Sequence, residues 1–388
     1  MSEASIELSV VLPCLNEADT LGSCIQTARS AIRDAGIAGE IVVADNGSSD
    51  GSAAIALGLG ARVVRVERPG YGSALMGGIA AARGRYLVIG DADLSYDFGE
   101  IPRLVAKLRE GYALVQGCRL PSGGGTILPG AMRPSHRWIG NPLFSFLVRR
   151  WFAAPVHDVY CGLRGFTREL YDRLDQRCLG MEFATEMILK ASLFGARIVE
   201  VPITLHPDGR RSHAPHLRTV RDGWRTLVFF LLCSPRWLYL VPGSLAVLAG
   251  LAGYALALPG LSVLGANLDV HTLLFATLLV LAGHQAVLFG IFARTFAVGE
   301  GLLPPSRPLR RFQQLFRLER GLALGAVALF AGTALLLGAI DRWRRADFGD
   351  LDYAATMRWV IPGVLLSLLG TQTVLASFFL SVLGLRRR

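Results

Sequence analysis

Asp91-Ala92-Asp93 is the part of this sequence with the plainest chemical use. It directly follows an apolar run, residues 86–90, that reads as a strand. Two carboxylates two residues apart at a strand end can hold a hard divalent cation, Mg²⁺ or Mn²⁺, beside a diphosphate. Such a cation neutralises the charge that builds on a departing phosphate group. An isolated D-x-D is more often a solvated acidic turn, but this one is not isolated. Asp45-Asn-Gly-Ser-Ser-Asp50 closes an earlier apolar run with two carboxylates and Ser48. That cluster suits hydrogen bonding to a base or ribose, and Ser49 or Asp50 suits equally the cap of the next helix. Asn16-Glu17 ends the first apolar run. Gly70-Tyr-Gly72 precedes a helical stretch, where it reads either as a plain turn or as a place where a ligand meets backbone.

The elements around these residues alternate. Short apolar runs at 9–13, 40–45, 62–66 and 86–90 are separated by helical patterns through residue 35 and over 51–60 and 71–83. Near-continuous apolar strands at crossover spacing predict a mainly parallel sheet with helices on both faces. Ligands bind such sheets beyond the C-terminal ends of the strands, which is where every acidic cluster above falls. A further strand is expected before Gly117, followed by a Gly/Pro-rich stretch, 121–134, of the length of a binding loop or lid. Helices at about 139–152 and 181–194 and a strand at 197–203 complete this half.

The other half is apolar. Hydrophobic residues make up 52% of the 388 residues, and four stretches, 237–258, 271–293, 321–340 and 359–385, contain no Asp, Glu, Lys or Arg. Each has the roughly 20 residues that cross a bilayer, so an all-α membrane domain of four transmembrane helices is expected. The domains read as 1–205, a basic loop with an interfacial helix at 206–235, and 236–388. No signal peptide is visible, which keeps the N-terminal half in the cytoplasm. Six arginines between the second and third spans, and three at the C-terminus, place those segments inside as well. The 341–358 connection mixes Arg with Asp and gives no direction. The net charge of +10 crowds beside the spans, which points to membrane lipids rather than nucleic acid. Six cysteines with no C-x-x-C spacing read as free thiols, not a zinc site.

In this order and spacing, Val10-Val-Leu-Pro-Cys-Leu-Asn-Glu17, Asp45 to Asp50, Gly70-Tyr-Gly72 and Asp91-Ala-Asp93-Leu resemble the family 2 inverting glycosyltransferases of GT-A fold. The match is to the branch of dolichyl-phosphate mannose synthase and bacterial polyprenyl-phosphate glycosyltransferases, over about residues 8–215. The resemblance implies that Pro13, Asn16, Glu17, Asp45, Ser48, Asp50, Gly70, Gly72 and Asp91 bind a nucleotide-sugar, with Arg210 and Arg211 on a basic loop that also holds His213. It implies Asp91 and Asp93 as the Mg²⁺ or Mn²⁺ ligands and, with Arg119, as the catalytic group. Gln116-Gly-Cys-Arg119 is similar to a segment whose Arg meets the acceptor phosphate; Arg137, Asn141 and Arg164 fall at or near further acceptor contacts. Ser95 stands where the family often has a Gln metal contact, and Tyr96-Asp97 replaces His-Pro. Arg164 and Glu186 read equally as a structural pair.

Two absences narrow the chemistry. Pro134 replaces the Gln of the Q-x-x-R-W pattern of processive synthases. Thr185-Glu186-Met187 puts Met where relatives acting on sugar hydroxyls carry a basic Asp. A phosphate with a second pKa of about 6 is already an anionic nucleophile and needs no such base. The expected activity is therefore inverting transfer of one hexose from a UDP- or GDP-sugar to polyprenyl phosphate, in a bacterial inner (cytoplasmic) membrane. The rivals are the same enzyme class acting on a lipid hydroxyl, and an inactive scaffold or transporter. The sequence leaves a homo-oligomer open.

Overall fold

The structure, a computed structural model, describes residues 6–211, 219–263, 265–315 and 317–384. The chain divides into two compact units, Met1–Phe230 and Leu231–Arg388.

In the first unit, β1 (Leu8–Cys14), β2 (Gly39–Asp45), β3 (Arg62–Arg65) and β4 (Tyr86–Ile89) are joined by α1 (Leu21–Asp34), α2 (Ser52–Gly58) and α3 (Tyr71–Ala81). α4 (Ile101–Arg109), β5 (Leu114–Cys118), β6 (Thr126–Ile127), α5 (Asn141–Phe152), β7 (Arg164–Thr167), α6 (Arg168–Leu174) and α7 (Glu182–Leu193) follow. β8 (Ile198–Pro202), β9 (Thr204–Leu205) and α8 (Thr219–Leu232) complete the series. Seven strands form one sheet in the order β3-β2-β1-β4-β7-β5-β8, parallel except for β7. The strands are apolar on both faces because both faces are covered. Leu8, Val10 and Leu12 point into the core with Leu21, Ile25 and Leu104 of α1 and α4. The alternate residue Val11 meets Gly78 of α3, where a Cβ would fall 2.5 Å from its side chain.

Strand order reverses between β1, which leads outward to β2 and β3, and β4 on its other side. That switch point opens a crevice beyond the C-terminal ends of the two strands. β7 was not foreseen: its sequence, Arg-Gly-Phe-Thr, is short and lacks an apolar run, yet it lies antiparallel between β4 and β5. The 121–134 stretch is not structureless. β6 within it pairs with β9.

In the second unit, a wide turn at Arg236–Leu240 leads into α9 (Val241–Ala257). A small hairpin of β10 (Ser262–Val263) and β11 (Ala266–Asn267) precedes α10 (Val270–Gly299), α11 (Arg307–Leu315), α12 (Leu318–Arg345) and α13 (Tyr353–Gly384). Among the described residues four helical stretches are long and apolar enough to cross a membrane: Arg236–Ala257, Val270–Gly299, Leu318–Arg345 and Tyr353–Gly384. They pair through glycine. A Cβ on Gly283 would stand 2.5 Å from the Gly243 carbonyl oxygen, and one on Gly370 2.6 Å from that of Gly325. Small residues let backbones approach this closely where no hydrophobic force drives helices together.

Candidate active site

The ends of β1 and β2 are laced into one rim. The Asn16 and Ala18 amides donate to Ser48 Oγ and Asp50 Oδ2, both at 2.9 Å, and Ser49 N donates to Asn16 Oδ1 at 2.8 Å. Asp45 Oδ1 accepts from Ser48 N at 3.1 Å. Burial pushes the Asp50 carboxyl up, but hydrogen bonds from Ser52 and the Ala18 amide outweigh it and hold the group below its ordinary value. Ser48 and Asp50 thus build the rim, while Asp45 and Pro13 sit at the strand ends inside it.

Gly70 and Gly72 serve a different close approach from the one expected. A Cβ on Gly70 would lie 2.4 Å from the Leu179 carbonyl oxygen and one on Gly72 2.4 Å from that of Cys178. The room these glycines leave is taken by the 178–180 backbone. Tyr71 between them is the residue that reaches the site: its Oη donates to Asp91 Oδ1 at 2.8 Å.

Asp91 and Asp93 follow β4 at the switch point. Burial, then the neighbouring charge of Asp93, raises the Asp91 carboxyl to about 6. Asp93 Oδ1 accepts from both Ser95 N (3.0 Å) and Ser95 Oγ (2.5 Å). Ser95, standing where the family often has a Gln metal contact, therefore orients Asp93. Asp93 Oδ2 faces Arg210 Nη1 at 3.3 Å. Two acidic side chains at one strand end, with two polar neighbours already fixing one oxygen each, suit a small divalent cation that takes its remaining ligands from phosphate and water.

Arg210 also forks onto Glu17, with contacts of 2.8 to 3.0 Å, and meets Asp208 at 2.9 Å. Arg211 is tied through its amide to Asp19 Oδ2 at 3.1 Å, and its side chain is exposed. His213 lies outside the described residues.

On the other side of the pair, Arg119 is 8% exposed and held by Asp158, which is fully buried. Asp158 accepts from Arg119 N, Nε and Nη2 at 2.9, 2.7 and 2.8 Å, and Arg119 Nη1 donates to Tyr96 Oη at 3.3 Å. Tyr96, the replacement for His, also accepts from Gly162 N at 2.8 Å. Arg137 is half-buried, lies over the Trp138 ring and has its Nε buried without a protein partner. Asn141 is buried at the start of α5 against Met132.

Arg164 is placed elsewhere. It is fully buried on β7 and donates to the Ala184 and Cys161 carbonyls at 2.6 and 2.7 Å, so its guanidinium is engaged by backbone rather than open to an acceptor. It does not pair with Glu186. Glu186 instead accepts from the Arg177 and Cys178 amides at 2.8 to 3.1 Å and pairs with Lys190 at 2.6 Å. Tyr71, Asp158 and Gly162 have no role assigned from the sequence, and Tyr96 stands there only as the replacement for His. Asp158 and Gly162 belong to the segment Asp158-Val-Tyr-Cys-Gly-Leu-Arg164 that ends on the candidate Arg164, and Tyr71 lies inside Gly70-Tyr-Gly72.

Paired carboxylates at the switch point of a doubly covered sheet, with four spans behind it in the chain, define a membrane-bound transferase of GT-A type. Residues 9–175 match the family described as "Glycosyl transferase family 2" and residues 291–384 the "Glycosyltransferase family 2 C-terminal transmembrane region". The low-salt glycan biosynthesis hexosyltransferase Agl6 of Haloferax volcanii is 37% identical over 390 residues, 99% of this chain and 90% of that one. The undecaprenyl-phosphate 4-deoxy-4-formamido-L-arabinose transferase of Klebsiella pneumoniae is 31% identical over 258 residues, 63% of this chain and 74% of that one. A solved Mycobacterium tuberculosis glucosyl-3-phosphoglycerate synthase, in complex with Mn²⁺, UDP and glucosyl-3-phosphoglycerate, is 27% identical; the match covers 58% of this chain and 78% of that one, with a TM-score of 0.46. The chain belongs to glycosyltransferase family 2 and is an integral membrane protein.

Proposed function

We propose that this enzyme transfers a single hexose from a UDP- or GDP-sugar to the phosphate of a polyprenyl carrier, with inversion, at the cytoplasmic face of the membrane. The observation that carries the choice of acceptor is the state of Glu186 and Met187. Glu186 is spent on two backbone amides and Lys190, and Met187 beside it is fully buried. Neither offers a base to a hydroxyl. A phosphate acceptor needs none, since its oxygen is anionic at neutral pH.

Its oxygen attacks the anomeric carbon from the face opposite the diphosphate. The bond from that carbon to the diphosphate breaks, and the electron pair leaves with the nucleoside diphosphate. Asp45, Glu17 and Pro13 line the nucleotide side, and Arg119 and Arg137 meet the acceptor phosphate, where a guanidinium fork suits its oxygens. Asp91 and Asp93 hold Mg²⁺ or Mn²⁺, which when bound offsets charge on the leaving diphosphate. Trp138 (70% exposed), Ile139 (66%) and Trp224 (66%) give the catalytic unit apolar surface suited to a lipid headgroup layer. The names of the Haloferax and Klebsiella relatives, a hexosyltransferase and an undecaprenyl-phosphate sugar transferase, support the same reading.

The test is a panel of UDP- and GDP-hexoses offered to the detergent-purified chain with polyprenyl phosphate or polyprenol. The expected product forms only with the phosphate, is released by mild acid and is lost in excess EDTA. An acid-stable product, or equal use of polyprenol, makes a lipid hydroxyl the acceptor and ends this reading.

A further inference from the structure

Three carboxylates converge on one guanidinium: two from distant parts of the chain, Glu17 after β1 and Asp93 after β4, and Asp208 beside Arg210 itself. The segment carrying Arg210 is fastened over the Asp93 turn. His206 N donates to the Ser95 carbonyl at 3.0 Å, Gly209 N to the Asp93 carbonyl at 2.9 Å, and Arg211 N to Asp19. Gly209 lies so close that a Cβ there would stand 2.8 Å from Leu94 Cδ1. Asp93 Oδ1 is occupied by Ser95, so Oδ2 is the oxygen left for a metal, and that oxygen faces Arg210 at 3.3 Å. A divalent cation approaching Oδ2 therefore meets a positive charge already there, half-buried and weakly screened.

We infer that Arg210 is a positioning residue that makes metal and donor binding depend on each other. Resting on the metal-dependent donor reading above, the argument is one of charge. Metal alone displaces Arg210 from Asp93 and gives the guanidinium no new partner there. A nucleoside diphosphate arriving with the metal supplies phosphate oxygens, which a guanidinium binds well through paired hydrogen bonds. Arg210 then moves from carboxylate to diphosphate while the metal takes its place at Asp93. Binding of the two ligands is cooperative and, by linkage, each tightens the other by the same factor.

The full-length protein in detergent is titrated with Mn²⁺, free Mn²⁺ being read by its electron paramagnetic resonance signal, with and without UDP or GDP. The wild type is expected to hold Mn²⁺ weakly alone and at least about tenfold more tightly with the matching nucleotide. Arg210→Ala is expected to bind Mn²⁺ alone about tenfold more tightly than the wild type and to gain much less from nucleotide. Arg210→Lys, which keeps the charge, should resemble the wild type without nucleotide. If Arg210→Ala does not fold, as judged by its melting curve, Arg210→Gln carries the same comparison. Neutral variants that bind Mn²⁺ alone no better than the wild type, while Asp93→Asn abolishes binding, overturn the inference and leave the metal reading intact. A wild type that holds no Mn²⁺ even with nucleotide overturns both.

Discussion

Asp91 is fixed from several directions at once. Tyr71 donates to Oδ1, and Oδ2 points at Gly162, where a Cβ would come within 2.6 Å of it and 3.0 Å of the Tyr96 ring. Gly162 has no unusual backbone angle, so its lack of a side chain matters for space alone. Gly162→Ala should push the Asp91 carboxylate or Tyr96 aside by a few tenths of an ångström or more. Misplacement of that kind costs up to about 10²-fold in kcat, while overpacking lowers stability by about 1–3 kcal/mol. Steady-state kinetics beside a denaturant melt check this; an unchanged kcat would show that the carboxylate has slack. At this scale the sequence was partly legible. The carboxylates themselves, two residues apart after an apolar run, carry a local signal. Their supports do not, because Tyr71, Asp158 and Gly162 reach their partners across 20, 39 and 66 residues. Arg164 and Glu186 were open to pairing by motif alone, but each found nearer backbone partners once buried.

At the scale of elements, the strand starts are gathered by Glu40. Its Oε1 accepts from Ser9 Oγ and the Arg83 amide, both at 2.7 Å, and Oε2 pairs with Arg62 at 2.8 Å. It thereby ties β1, β2, β3 and the end of α3 together at the edge opposite the active site. Burial raises the Glu40 carboxyl, but the hydrogen bonds from Ser9 and Arg83 and the pairing with Arg62 overcome this and hold it below its ordinary value of 4.5. A depressed carboxyl contributes stability that is present above the unfolded-state value and lost as pH falls through the lower folded-state one. Glu40→Gln should therefore cost about 1–2 kcal/mol at pH 7. The gap to the wild type should close as pH falls below 4.5, read by urea melts from pH 7 down to 3. A pH-independent gap would assign the loss to shape instead of charge. Strands β1 to β4 and their helices were readable because each is a clean apolar run or a period of 3.6. α4 carries the same period in Ile101, Leu104, Val105 and Leu108 and was passed over. β7 carries none, since an antiparallel strand of four residues is defined by its neighbours and not by its own composition.

For the whole molecule, the spans set the sidedness of everything else. The connection between the second and third spans contains α11, with Arg310 and Arg311 exposed. The 341–358 connection holds four Arg and four Asp, and Asp341 pairs with both Arg344 and Arg345. Its ambiguity in the sequence has that physical source: its charges cancel. With native cysteines replaced, a Cys at position 306 should react with impermeant maleimide only after the membrane is opened, and one at 262 from outside on intact cells. The reverse pattern would turn the protein over. The place of β7 in the sheet also sets an order of assembly on the ribosome. β1 to β4 can pair as the chain emerges, but β5 has no seat beside them until residues 164–167 arrive to fill the seam. A nascent chain that stalls between β5 and β7 therefore carries an unpaired β4 edge and an unseated β5, the state most open to pairing with another chain, and that seam closes about 70 residues before the first span is made.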